Sequence, residues 1–326
     1  MDLAHHLTEN KKIKPNYSAA GYVKVLAPAT VANLVCGFDV LGMCLNEPND
    51  LMEVKLLNEK KVIILSADGY PLPLDPAQNT AGAPLIEMIN ELDTPTGFEV
   101  TIHKRIKPGS GIGSSAASAA GAVVAANHLL GNVFSNKDLV RFAMFGEKVA
   151  SGVKHADNVA PCIYGGITLI RSIHPLDIIS ISSPDLFVTI VHPQIEVRTK
   201  DARQILRKEV LLKDAIRQWG NIAGLVAGFM QSDLDLIGRS LEDVIIEPVR
   251  SILIPGFDEV KIKCKQAGAL GGGISGSGPS LFMLSRDEAT AKKVQNAMQE
   301  IYKQIGLEFN TYVTTINQKG VKIIEG

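Results

Sequence analysis

Apolar and polar positions alternate over residues 22–26, and this period of two predicts a strand ended by Ala27 and Pro28. Two more runs of β-formers, 51–57 and 62–65, flank the polar stretch 58–61 and predict a hairpin. Residues 80–92 place Leu85, Met88, Ile89 and Leu92 at helical spacing, and 98–102 alternates again as a strand. A glycine-rich loop at 109–113 follows, then a helix over 114–130 closed by Gly131. A further helix is predicted over 136–150, with Asn136 as its N-cap and Leu139, Phe142, Ala143, Gly146 and Val149 on one face.

After a loop at 151–158, residues 167–171 read as a strand. The stretch 173–184, with two prolines and several serines, reads as a domain boundary. Beyond it the pattern predicts a strand at 186–192, helices near 199–206 and 209–230, and shorter helical pieces up to 253. A helix at 257–267, a strand at 281–284 after a glycine-rich stretch, a helix at 288–305 and a strand at 311–316 complete the chain. Hairpins and helices mix in both halves, which predicts an α+β fold rather than strict βαβ alternation. The expected division is a short, mobile lead-in (1–21), an N-terminal domain (22–178) and a C-terminal domain (179–326).

Composition narrows the function classes. A chain of 326 residues has room for two domains, and 46% hydrophobic with 21% charged residues is ordinary for a globular enzyme. No apolar run approaches the roughly 20 residues of a membrane span. A net charge of −1 supplies no footprint for nucleic acid or an anionic membrane. Cys36, Cys44, Cys162 and Cys264 are scattered without C-x-x-C pairing, which argues against a disulfide framework or zinc site and suits a reducing cytosol.

The most informative stretch is Pro108, Gly109, Ser110, Gly111, Ile112, Gly113, Ser114, Ser115, Ala116, Ala117. Its three glycines can take positive φ and bring backbone close to a ligand. The helix that follows offers unpartnered N–H groups and the positive end of its dipole, which favour a phosphate. The serine hydroxyls can cap that helix, ligate Mg²⁺, or both. No lysine follows the last glycine, so this is not a Walker A loop. From these residues alone, a glycine turn into a tightly packed, serine-capped helix fits equally well.

Three separated segments together resemble the motifs of the GHMP kinases, a superfamily of ATP-dependent small-molecule kinases. They are the stretch from Ala27 to Gly42, the loop above, and the stretch from Gly268 to Ser280. Within the superfamily, the segment Gly37-Phe38-Asp39-Val40-Leu41-Gly42 is similar to the homoserine kinase branch. So are the segments 154–161 and Glu247-Pro248-Val249-Arg250. The resemblance implies an N-terminal domain like ribosomal protein S5 domain 2, with a left-handed βαβ crossover, and a ferredoxin-like C-terminal domain. It also implies a homodimer, ATP and Mg²⁺, and phosphorylation of the side-chain hydroxyl of L-homoserine in threonine biosynthesis. Two departures stand out: Pro108 directly precedes the first glycine, and Val35-Cys36 stands before Gly37 where relatives often carry a small residue and proline.

The same resemblance assigns roles. Lys107 through Ala117 would hold ATP, and Glu147 with Ser114 or Ser115 would hold Mg²⁺. Arg203 and Arg250 would take the substrate carboxylate, as planar guanidinium forks suit that geometry. Asn33 and Asp39 would lie near its hydroxyl and amine, His155, Asp157 and Asn158 would line the amino-acid pocket, and Gly276 would approach the substrate. Asp157 is the candidate base if one operates, making Ser114, Ser115, Glu147 and Asp157 the catalytic set. Read singly, Arg203 fits a solvated helix face, Asp39 a turn, His155 a polar contact and Glu147 an exposed helical residue. Another GHMP kinase or a silent metabolite sensor of the same fold stays open as an alternative. A nucleic-acid-binding use is opposed by the charge balance.

Overall fold

The computed structural model describes residues 12–197 and 199–326. Its first half contains β1 (Tyr22–Ala32), β2 (Leu41–Leu57), β3 (Val62–Gly69), α1 (Gly82–Asn90), β4 (Gly97–Lys104), α2 (Ser114–Leu129), α3 (Asn136–Ser151), α4 (Val159–Tyr164), β5 (Ile167–Ile173) and β6 (Leu176–Ile181). The second half adds β7 (Phe187–Pro193), α5 (Thr199–Gln204), α6 (Leu212–Gln231), α7 (Leu234–Ser240), α8 (Glu247–Arg250), α9 (Phe257–Gln266), β8 (Gly271–Ile274), β9 (Leu281–Ser285), α10 (Glu288–Ile305), β10 (Phe309–Thr315) and β11 (Lys322–Glu325). Seven strands form one sheet in the order β11-β1-β2-β4-β3, with β5 on β2 and β6 on β5. Four more form the second, β10-β7-β9-β8, antiparallel throughout. The fold is α+β.

Several expectations are corrected. The strand at 22–26 continues past Pro28 to Ala32, across an irregularity between Pro28 and Thr30 that accommodates a proline without an N–H. Residues 51–57 and 62–65 do not pair as a hairpin: β3 pairs in parallel with β4, which lies between it and β2. The central place of β4 shows in its burial: Phe98, Val100 and Ile102 are fully buried, whereas β3 at the edge buries Val62 and Ile64 on its core face and leaves Leu65 exposed on the other. Ser135, not Asn136, caps α3, in a reciprocal capping box with Asp138.

The division at 178/179 falls inside β6, which pairs with β5, so the two sheets part between Ile181 and Phe187. Strand β11 returns to the first sheet beside β1. The lead-in is docked where described: Ile13 bridges to Leu92, and the amides of Asn16 and Ser18 donate to the carbonyls of Leu130 and Leu129. Residues 1–11 lie outside the described residues.

Helix α2 is buried on every side because its residues are small. Ala116, Ala117, Ala119, Ala120, Ala122, Ala125 and Ala126 are all inaccessible, and a Cβ at Gly121 would stand 2.5 Å from the Met52 sulfur. This close packing fixes where the helix N-terminus points. All four cysteines are buried and free. Among the described residues no helix is long and apolar enough to cross a membrane.

Candidate active site

A cavity of about 540 Å³ opens between the glycine loop, the 33–39 turn, the end of α3 and the α5 segment. Gly109, Gly111 and Gly113 all take positive φ (74°, 80° and 70°), and Gly113 hands the chain to α2. A Cβ at Gly111 would sit 2.5 Å from the Gly278 carbonyl, and one at Gly113 would collide with the Thr30 hydroxyl. At Gly109 the space is open. The two glycine loops interlock through serines: Ser275 Oγ donates to the Gly111 carbonyl at 2.7 Å and Ser280 Oγ to the Ser110 carbonyl at 2.6 Å.

Beneath the loop lies a buried ion pair that sequence reasoning missed. Lys104 Nζ binds Asp50 and donates to the Ser114 carbonyl (2.7 Å) and Ser118 Oγ (3.0 Å). The other Asp50 oxygen accepts the amides of Arg105 and Ile106, each at 2.8 Å. Together these contacts fix the approach to the glycine loop and the first turn of α2. A polar residue inside a strand pattern carries no signal that it is buried, so neither partner stood out.

The structure separates the two serines. Ser114 Oγ is turned to the Ile106 carbonyl (2.8 Å), a structural contact, whereas Ser115 Oγ donates to Glu147 Oε1 at 2.7 Å. Of the two serines expected as alternatives, it is Ser115 whose hydroxyl lies beside Glu147. Glu147 is buried rather than exposed, and burial raises its pKa against the lowering effect of the Ser115 bond. A buried carboxylate with one hydroxyl neighbour suits Mg²⁺, which keeps most of its shell as water and phosphate oxygen.

All eight residues expected at the substrate line the cavity. Asn33, Leu34 and Val35 have consecutive positive φ, unusual for residues with a Cβ, and Asp39 repeats it at 61°. That tight turn lets Asn33 Nδ2 reach the Gly276 carbonyl (2.8 Å) while its Oδ1 accepts the Asp39 amide (3.0 Å). Arg203 Nη2 meets both Asp39 oxygens at 2.8 and 2.9 Å, so it is not on a solvated face. Arg250 is buried and donates to the carbonyls of Ala202 and Gly276, each at 3.1 Å. Burial, then the nearby Arg203 charge, lowers its pKa to about 10.

Asp157 is buried, and burial, reinforced by the charges of Asp39 and Glu147, pushes its pKa to about 8. Asn158 Oδ1 accepts from Thr30 Oγ1 at 2.7 Å and abuts Gly113. His155 Nδ1 lies 4.0 Å from Asp39, its Nε2 is buried without a partner, and burial lowers its pKa.

Of the loop residues assigned to ATP, Pro108, Gly109, Gly111, Gly113, Ser114 and Ser115 line the cavity. Ser110, Ile112, Ala116 and Ala117 are packed behind it, and Lys107 reaches away to Gln194 (2.8 Å). Glu247, in the segment Glu247-Pro248-Val249-Arg250, serves the second glycine loop. Its carboxylate accepts the Ile274 amide (3.0 Å) and Lys261 (2.6 Å), filling the space a Cβ on Gly273 would need. Pro71, Leu72 and Pro73 give one end of the cavity an apolar lip that nothing in their spacing announced.

Comparison with known proteins gives this geometry a context. Residues 79–166 match the family model of the GHMP kinases N terminal domain, and 225–304 match that of GHMP kinases C terminal. A homoserine kinase of Chloroherpeton thalassium is 46% identical over 312 residues, 91% of this chain and 98% of the relative. One from Methanococcus maripaludis is 41% identical over 284 residues, 86% and 93% of the two chains. The crystal structure of homoserine kinase from Cytophaga hutchinsonii superposes with a TM-score of 0.90 at 49% identity, covering 94% and 98%. Mevalonate kinase of L. major shares the fold at a TM-score of 0.66 and 16% identity, over 95% and 97%.

Proposed function

The chain belongs to the homoserine kinases, within the GHMP kinases, and on that premise we propose that it transfers the γ-phosphoryl group of ATP to the side-chain hydroxyl of L-homoserine. The product is O-phospho-L-homoserine, in threonine biosynthesis. The observation that carries this reading is one cavity holding both a phosphate-type helix N-terminus and an Asp39–Arg203–Arg250 cluster suited to a zwitterion.

Phosphoryl transfer is mostly alignment and charge neutralisation, and the site supplies both. The first amides of α2 and the glycine loop receive phosphate oxygens. Ser115 and Glu147 would hold Mg²⁺, which when bound neutralises charge on the transferring phosphate. The homoserine ammonium takes Asp39, and its carboxylate takes the guanidiniums of Arg203 and Arg250. This exchanges an internal ion pair for two intermolecular ones at constant charge. Asp157, its pKa pushed up to about 8 chiefly by burial, offers the substrate a hydrogen-bonding carboxyl that holds its proton more tightly than an ordinary aspartate. The apolar lip at 71–73 suits the face of a heteroaromatic base.

The same membership supports a homodimer, and the outer face of α6 is the surface we propose for it. Leu212, Ile216, Trp219 and Met230 are more than half exposed along a stripe with no charged residue. Antiparallel pairing with a second copy about Asn221 sets Leu212 against Met230, Ile216 against Val226, and bulky Trp219 against small Ala223. Ile216→Asp is then expected to give a monomer in sedimentation, and an unchanged dimer rejects this face.

The decisive assay measures ADP release from Mg-ATP with L-homoserine, mevalonate, shikimate, galactose or no acceptor. Turnover selective for L-homoserine is expected. Selectivity for another acceptor rejects the substrate assignment, and ATP binding without turnover favours a nucleotide sensor.

A further inference from the structure

Phe38 stands near the end of the 33–39 turn, between the αL run at 33–35 and Asp39, and it lines the cavity. The guanidinium carbon of Arg250 lies 4.9 Å from the ring centroid and that of Arg203 lies 5.3 Å from it, both within cation–π range. One ring therefore contacts both arginines, and the same turn presents Asp39 to Arg203 one residue later. The arrangement has a physical need. Two cations are brought together in a cavity whose one carboxylate in hydrogen-bond contact, Asp39, is bonded to Arg203 alone, and the Arg250 pKa is lowered first by burial and then by the Arg203 charge. Arg250 has its Nε and Nη1 committed to backbone carbonyls, and Arg203 Nε is buried without a partner. The negative π-face of Phe38 adds to the attraction that the Asp39 and Asp157 carboxyls exert on both guanidiniums.

We infer that Phe38 is a positioning residue for substrate recognition, holding Arg203 and Arg250 convergent on the carboxylate of the amino-acid substrate through the electrostatics of its ring. This rests on the reading of those arginines as carboxylate holders. An apolar side chain of similar volume fills the space but leaves the guanidiniums to repel each other and turn to water. The defect is expected chiefly at the amino-acid end, because the two arginines on the ring are bonded to Asp39, Ala202 and Gly276, whereas Ser115 and Glu147 are bonded to each other.

The test is steady-state kinetics of the intact enzyme, varying L-homoserine and ATP separately, with fluorinated phenylalanines and leucine at position 38. Fluorination withdraws the π charge while keeping the ring's shape, so folding is preserved even if Phe38→Leu folds poorly. KM for L-homoserine is expected to climb stepwise through mono-, di- and trifluoro-phenylalanine to roughly ten- to thirty-fold, with KM for ATP and kcat within about two-fold. Phe38→Tyr, which keeps the π-face, is expected to stay within about three-fold of the parent. An unchanged homoserine KM across the fluorinated series overturns the inference, as does an equal rise in both KM values. Wild-type enzyme that ignores L-homoserine would instead overturn the substrate reading beneath it.

Discussion

Ser115 Oγ donates to Glu147 Oε1 at 2.7 Å, tying the first turn of α2 to the C-terminal half of α3 inside the cavity. The neighbouring hydroxyl of Ser114 is already spent on the Ile106 carbonyl. Two adjacent serines thus have separable tasks. Ser115→Ala and Glu147→Gln are expected to lower kcat by about 10²-fold or more while leaving the thermal midpoint within a few degrees. Ser114→Ala removes one buried hydrogen bond and is expected to cost about 1 kcal/mol of stability, with kcat reduced far less. Paired melting and kinetic measurements check the separation. Equal kinetic losses at both serines would reject it.

The glycine loop gives a sharper contrast. At Gly109 an added methyl meets nothing, so Gly109→Ala carries only the strain of a positive φ, about 1–2 kcal/mol. At Gly111 it meets the Gly278 carbonyl at 2.5 Å as well, forcing the two loops apart. Gly111→Ala is expected to raise KM for both ATP and L-homoserine, because Gly276 and Gly278 sit on the displaced loop. Denaturant unfolding and substrate kinetics on the two variants test this. Equal behaviour would mean the loop contact is unimportant.

Through its raised pKa, Asp157 makes stability depend on pH. Its folded pKa, about 8, is far above that of an unfolded aspartate near 3.9, so the native state holds the extra proton between these values. Its contribution to stability is full below about pH 4 and is lost as pH rises through about 8. Asp157→Asn is therefore expected to raise the thermal midpoint of the unliganded protein at pH 8–9 and not at pH 4. If ionised Asp157 assists binding or proton removal, kcat/KM for L-homoserine climbs to a plateau above about pH 8, and the climb disappears in the variant. A wild-type profile flat from pH 6 to 9 would exclude such a role.

How much of this was legible in the sequence depends on range. Periodicity located α1, α10 and most strands, the glycine spacing located the loop, and that loop with the closing Gly131 located α2, because these signals are local. Strand order is not local: 62–65 adjoins 51–57 in sequence, yet the more deeply buried β4 displaces it. Strand β8, three glycines and an isoleucine, has no side-chain pattern to read, and the exposed residues of β11 show no buried face. In the site, the family pattern brought together Asp39, Asp157, Arg203 and Arg250 from distant segments, which spacing alone could not do. It could not distinguish Ser114 from Ser115, since that choice is a matter of rotamer and neighbour. It was equally silent on Lys104 and Asp50.

That buried pair supports the last prediction. Lys104 and Asp50 are almost wholly inaccessible, and between them they hold the Ser114 carbonyl, Ser118 Oγ and the amides of Arg105 and Ile106. Removing one partner strands the other charge in the interior, which typically costs about 3–5 kcal/mol. Lys104→Met is therefore expected to be strongly destabilising even though methionine fills much of the volume. Asp50→Asn keeps an acceptor for the two amides but loses the charge, so it too should lose several kcal/mol. In the double variant neither charge is stranded, and the combined loss should fall short of the sum by about 1–3 kcal/mol. Because the same network orients the first turn of α2, each single variant should also raise KM for ATP more than KM for L-homoserine. Denaturant unfolding of the four proteins measures the coupling directly. Strict additivity would show that the two residues act independently and that the glycine loop is held by its own packing.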